Sequence, residues 1–110
     1  MITKDLLDYL NTELSVGVYM EAPEQLTNYV LIDQTGTGRL NHIITTTVAI
    51  QSYAPSLYEA MLLNEDVKVA MEGFAELANV TRVELETDYN FTNTATKQYR
   101  WQAVYSIIHY

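Results

Sequence analysis

The chain has 110 residues, 48% hydrophobic and 18% charged, a size and balance that suit one soluble globular domain with a single core. It has no cysteine, which excludes a disulfide framework and cysteine-ligated zinc and fits a reducing cytoplasm. A net charge of −8 argues against a protein that grips nucleic acid, although an acidic wall would let DNA slide past it.

The opening MITKDLLDYLNTEL does not read as a signal peptide, because Asp5, Asp8 and Glu13 interrupt any apolar run. No stretch reaches the roughly 18 apolar residues that cross a bilayer, so no membrane partner is expected. Leu6, Leu10 and Leu14 recur at helical spacing and predict a helix over 3–14, with Thr3 as N-cap and Asp5 in the first turn. Val18-Tyr19-Met20 predicts a short strand, ended by the EAPE turn. Tyr29-Val-Leu-Ile32 predicts a second, buried on both faces. Gln34-Thr-Gly-Thr-Gly-Arg-Leu-Asn41 reads as a hairpin turn in which Gly36 and Gly38 supply positive φ.

From His42 to Tyr53 the chain alternates, with Ile44, Thr46, Val48 and Ile50 on one face and Thr45, Thr47, Ala49 and Gln51 on the other. Pro55 stops this strand, and Ser56-Leu-Tyr-Glu59 has the form of a capping box. Ala60, Leu63, Val67, Ala70, Phe74 and Leu77 then form a seam that predicts a helix over 56–77. Val83, Leu85, Thr87 and Tyr89 oppose Arg82, Glu84, Glu86 and Asp88. Further on, Tyr99, Trp101, Ala103, Tyr105 and Ile107 oppose Gln98, Arg100, Gln102 and Ser106. The order α-β-β-β-α-β-β is that of an α+β domain with a largely antiparallel sheet covered by helices on one face.

The loop between the last two strands, DYNFTNTATK, opens like a calcium site with Asp88, Asn90 and Thr92. Its sixth and twelfth positions hold Asn93 and Tyr99, where an EF-hand needs glycine and glutamate. Thr35-Gly-Thr-Gly-Arg39 lacks the Gly-Lys-Ser/Thr ending of a phosphate loop. His42 and His109 have no reason in the sequence to meet, and no serine has a local activating partner. Glu84, Glu86 and Asp88 share a strand face, which reads most simply as a solvated one. Two Asn-x-Thr sequons, at Asn79 and Asn90, read as chance matches. No catalysis, cofactor or metal is expected. Tyr99, Trp101 and Tyr105 read as core, whereas Tyr89 and Phe91 either fold back on the sheet or are buried by a partner.

Taken in order, Tyr19-Met-Glu21, TGTGRLN, Ala49-Ile-Gln-Ser-Tyr-Ala54, Leu63-Asn-Glu-Asp-Val-Lys-Val-Ala-Met71, Asp88-Tyr-Asn-Phe-Thr and Thr96-Lys-Gln-Tyr-Arg-Trp-Gln-Ala103 carry a resemblance. The chain resembles the tail-completion (tail-terminator, head–tail joining) proteins of long-tailed phages and prophages along nearly its whole length. The resemblance implies a virion protein, made in the bacterial host cytoplasm, that forms a homo-oligomeric ring, commonly a hexamer. Such a ring caps the tail tube protein and meets the head connector protein, with DNA only as passing cargo. A ring subunit needs two different adhesive surfaces. On that basis Gly36, Gly38, Arg39, Asn41, Asp88, Tyr89, Phe91, Thr92 and Lys97 are the expected interface positions. The alternatives are a head-side adaptor or stopper, or a small non-enzymatic binding module with a concave aromatic site at Tyr99 and Trp101.

Overall fold

The computed structural model describes residues 1–25, 27–77 and 80–110. Asn79, with its sequon, and the neighbouring Ala78 lie outside the described residues, as does Leu26. Helix α1 (Ile2–Glu13) leads through strand β1 (Val18–Tyr19) to β2 (Tyr29–Leu40) and β3 (Ile43–Tyr53). Helix α2 (Leu57–Phe74), β4 (Val80–Asn90) and β5 (Arg100–His109) complete the α+β domain. The five strands form one sheet in the order β1-β2-β3-β5-β4. Every pairing is antiparallel except that of β1 with β2.

Both helices cover one face of the sheet. Leu6 and Leu10 of α1 meet Val67, Met71 and Phe74 of α2 over Val30, Ile32, Val48, Ile50, Ala103 and Ile107. These are the positions that the 3.6 and 2.0 periodicities place inward. Tyr9 ties the helices together. Its hydroxyl donates to the Ala70 carbonyl at 2.7 Å and its ring lies 5.3 Å from that of Phe74. A Cβ at Gly73 would meet the Tyr9 hydroxyl, so the close approach of the two helices there depends on glycine or on a shift of the Tyr9 ring.

Four expectations need correction. Thr3 is not a cap. It is fully buried as the second residue of α1, its hydroxyl donates to Gln34 Oε1, and Met1 occupies the N-cap position. The glycines do not make the turn. Gly36 and Gly38 lie within β2, opposite Thr47 and Thr45, and no glycine has positive φ. The turn is the pair Asn41-His42, with φ of 50° and 70°, the two-residue geometry that matches strand twist. His42 therefore belongs to the turn and does not begin β3. Finally, the alternation along β4 breaks at a bulge between Leu85 and Thr87. Asp88 thereby turns to the covered face, away from Glu84, while Tyr89 turns to the open one.

Candidate assembly surfaces

The two segments singled out by sequence stand at opposite ends of the sheet. Ile44 pairs with His109 near the Asn41-His42 turn, and Tyr53 pairs with Arg100 near the 91–99 loop. The long axis of the domain is 44 Å, against 25 and 22 Å for the others.

At the hairpin end, Asp33–Leu40 is exposed throughout and pairs only with β3, because β1 reaches no further than Leu31. That length of β2 is a free sheet edge. Gly36 and Gly38 face open space, with no atom within 4 Å of where a Cβ would stand. Arg39, next to the tip, has no ion pair among the described residues, unlike Lys4, Lys68 and Arg82. Leu40 and Ile43 flank the turn as exposed apolar side chains, and Asn41 sits in the turn itself.

At the loop end, the chain folds onto itself. Asn90 Oδ1 accepts from the Thr92 amide and hydroxyl at 3.0 and 2.6 Å, and Asn93 Oδ1 accepts from the Ala95 amide at 3.2 Å. Paired amide–carbonyl bonds of 3.1 Å between Asn93 and Gln98 close a tight turn in which Lys97 has φ of 55°. The Asn90 and Thr92 oxygens that made this stretch look like a calcium loop are thus engaged within the loop and with the Arg100 backbone, the ordinary chemistry of Asn and Thr in turns.

Tyr89 and Phe91 fold back on the open face without being buried. Their rings pack edge to face at 5.9 Å, each 39% exposed. Arg100 lies over Phe91 at 4.4 Å and donates from Nε to the Phe91 carbonyl at 2.6 Å. From there a polar network crosses the sheet. Gln102 donates to the Tyr89 hydroxyl, Gln51 Nε2 donates to Gln102 Oε1 at 2.8 Å, and Tyr53 donates to Gln51 Oε1 at 2.7 Å. Tyr53 stacks on Tyr29 at 4.5 Å between centroids. Burial, with Tyr53 beside it, raises the Tyr29 hydroxyl pKa. Tyr29, Tyr53 and Tyr99 border a hollow of about 280 Å³, whereas Trp101 is half-buried on the covered face.

Asp88 does not join either surface. Its Oδ2 accepts from Asn64 Nδ2 at 3.0 Å and Lys68 Nζ at 3.1 Å, both on α2. Burial alone would raise its carboxyl pKa, but the Lys68 ammonium and the Asn64 amide together hold it below the usual value. Lys68 in turn is raised by hydrogen bonds to Glu65 and Asp88. Asp88 thus anchors edge strand β4 to α2. His109 is similarly occupied, its Nε2 lying 2.9 Å from the buried Thr46 hydroxyl.

One surface was not anticipated. Besides its buried seam, α2 has an outward apolar stripe of Tyr58, Leu62 and Val69, with Leu57 and Met61 beside it, all exposed. The signal was present in LYEAMLL, where six of seven residues are apolar and a helix can turn only one side to the core. Next to this stripe lies a hollow of about 190 Å³, bordered by Glu59, Leu62 and Asp66 of α2 and by Ser15, Val16 and Asn28. No protein-family model matches the chain, and no curated protein does.

Proposed function

We propose that this chain is a structural subunit of the tail-completion kind. It would form a ring, commonly of six copies, that caps a phage tail tube and meets the head connector, without enzymatic activity. The observation that supports this most directly is the placement of unlike, exposed surfaces at the two ends of an elongated sheet. One end has the hairpin tip with Arg39, which has no ion pair among the described residues, and the other has the loop with Tyr89 and Phe91. A subunit with different surfaces at its two ends can associate head to tail, and such contacts close into rings when the rotation permits. The charge distribution is compatible with DNA as passing cargo. The two helices carry seven carboxylates against Lys4 and Lys68, and each lysine is paired with an acid of its own helix. An acidic layer repels phosphate and lets it pass without adhesion.

The test is assembly of tails with and without the protein, examined by electron microscopy. Tails of normal, capped length in its absence would refute the proposal. The hollow at Tyr29, Tyr53 and Tyr99 favours a second reading, a binding module for a small aromatic-seeking ligand. Under that reading, a ligand alters tyrosine fluorescence and the protein remains monomeric on tails.

A further inference from the structure

Deepening that reading and resting on it, we infer that the hairpin tip of one copy docks on the outer stripe of α2 in the next. Three observations converge. The tip is an apolar knob, since Leu40 is 72% exposed with Ile43 beside it across the turn. The stripe is an apolar receiving surface, with Tyr58 65% and Leu62 45% exposed near the start of α2. Clusters of exposed large apolar side chains mark sites of association more often than solitary ones do.

The third observation is electrostatic and selects a second copy of this chain as the occupant. The hollow beside Leu62 is bordered by the Glu59 and Asp66 carboxylates and by no cation. Glu59 accepts a hydrogen bond from Ser56, and neither acid has an ion pair among the described residues. The tip supplies the missing charge, because Arg39 adjoins Leu40 and has no ion pair among the described residues. With Leu40 and Ile43 laid on Tyr58 and Leu62, the guanidinium has an acidic hollow next to it. The tip and the start of α2 belong to opposite ends of the sheet, because α2 begins four residues after Tyr53 at the far end of β3. One molecule cannot satisfy both of its own surfaces, so the contact is made between copies.

The native chain has no cysteine, so Leu40→Cys and Leu62→Cys place the only thiols at two exposed positions. The variants, first shown to melt like the parent, are treated with a short bis-maleimide in concentrated solution and on purified tails. The doubly substituted chain is expected to give a ladder of covalent oligomers. A mixture of the two single variants should give dimers, and each single variant alone should give none. Arg39→Glu is expected to weaken association about tenfold or more, and adding Asp66→Arg to it should restore the loss. The inference is overturned if the doubly substituted chain stays uncross-linked in both settings, gives dimers only, or links as readily through Leu40→Cys alone. Oligomers that form normally but do not cross-link would remove this contact and leave the assembly reading standing. Failure to associate even on tails would remove both.

Discussion

Glycine in this hairpin stands where the monomer does not need it, and that has a measurable consequence. Gly36 and Gly38 have extended backbone within β2 and open space where a Cβ would be, so alanine fits at either position without strain. Replacing such a glycine removes freedom mainly from the unfolded chain and stabilises by about 0.4–1 kcal/mol. The double variant Gly36→Ala/Gly38→Ala is therefore expected to gain roughly 1–2 kcal/mol. At about 4 °C per kcal/mol for a domain near this size, its Tm should rise by roughly 4–8 °C. The turn gives the converse case. His42 holds φ of 70°, a region that costs a non-glycine residue on the order of 1 kcal/mol, so His42→Gly should also stabilise. Circular dichroism melts with urea titrations for each variant provide the check. A fall in stability for the double alanine variant would refute the reasoning, since it would mean that β2 needs glycine conformations at those positions.

Three further outcomes follow from the core and its polar contacts. Phe74→Ala, which empties a fully buried site against Tyr9, should cost about 3–5 kcal/mol in urea unfolding. Asp88 has a lowered pKa, so it contributes stability above the ordinary carboxylate value of 3.8, and this is lost as the pH falls through its folded value. Urea midpoints measured across the acid range should therefore fall more steeply for the parent than for Asp88→Asn. Burial pushes the Tyr105 hydroxyl up to about 12, so its contribution is complete below the ordinary value of 10 and is lost as the pH rises through about 12. Alkaline difference spectra of the native protein should show a late-titrating tyrosine that is missing in Tyr105→Phe.

Elements whose inward residues follow a single period were legible in the sequence. The seam of α2 from Ala60 to Phe74, its Ser56 cap accepting from the Glu59 amide at 3.2 Å, and the two faces of β3 and β5 stand where their spacing places them. The helix ends at Phe74, however, and leaves Leu77, the last expected seam position, exposed beyond it. Departures from a period were not legible. Thr35-Gly-Thr-Gly-Arg39 is rich in turn residues, yet pairing with Ile44–Thr47 holds it extended. Local preference yielded there to the ladder. In β4 one inserted residue reversed the facing of Asp88 and Tyr89, and nothing in the residue types marks the insertion. Thr3 looks like a cap because caps are the commonest use of threonine at a helix start. Its actual partner, Gln34, is 31 residues away. Of the expected interface residues, Asp88 was drawn toward α2 and Thr92 is partly buried with its hydroxyl on the Arg100 backbone. The outer stripe of α2 was missed because a continuous buried seam already accounted for the helix.

The same tip-to-helix contact admits two closures, and charge separates them. In one, copies run head to tail and each tip meets the next α2. In the other, two copies lie side by side and antiparallel, each tip on its partner's α2, so that the helical layers confront one another. Each layer carries seven carboxylates and two lysines, and both lysines are already paired within their own helix. Facing layers therefore repel, whereas head-to-tail stacking brings Arg39 to each acidic hollow without opposing the layers. Salt weakens both the repulsion and the Arg39 attraction, with a screening length of about 8 Å at physiological ionic strength and about 3 Å at 1 M. Raising salt should thus shift cross-linking of the doubly substituted chain from ladders toward dimers while its melting temperature changes little. Dimers that dominate at low salt and give way to ladders at high salt would show that the acidic layers do not decide the arrangement.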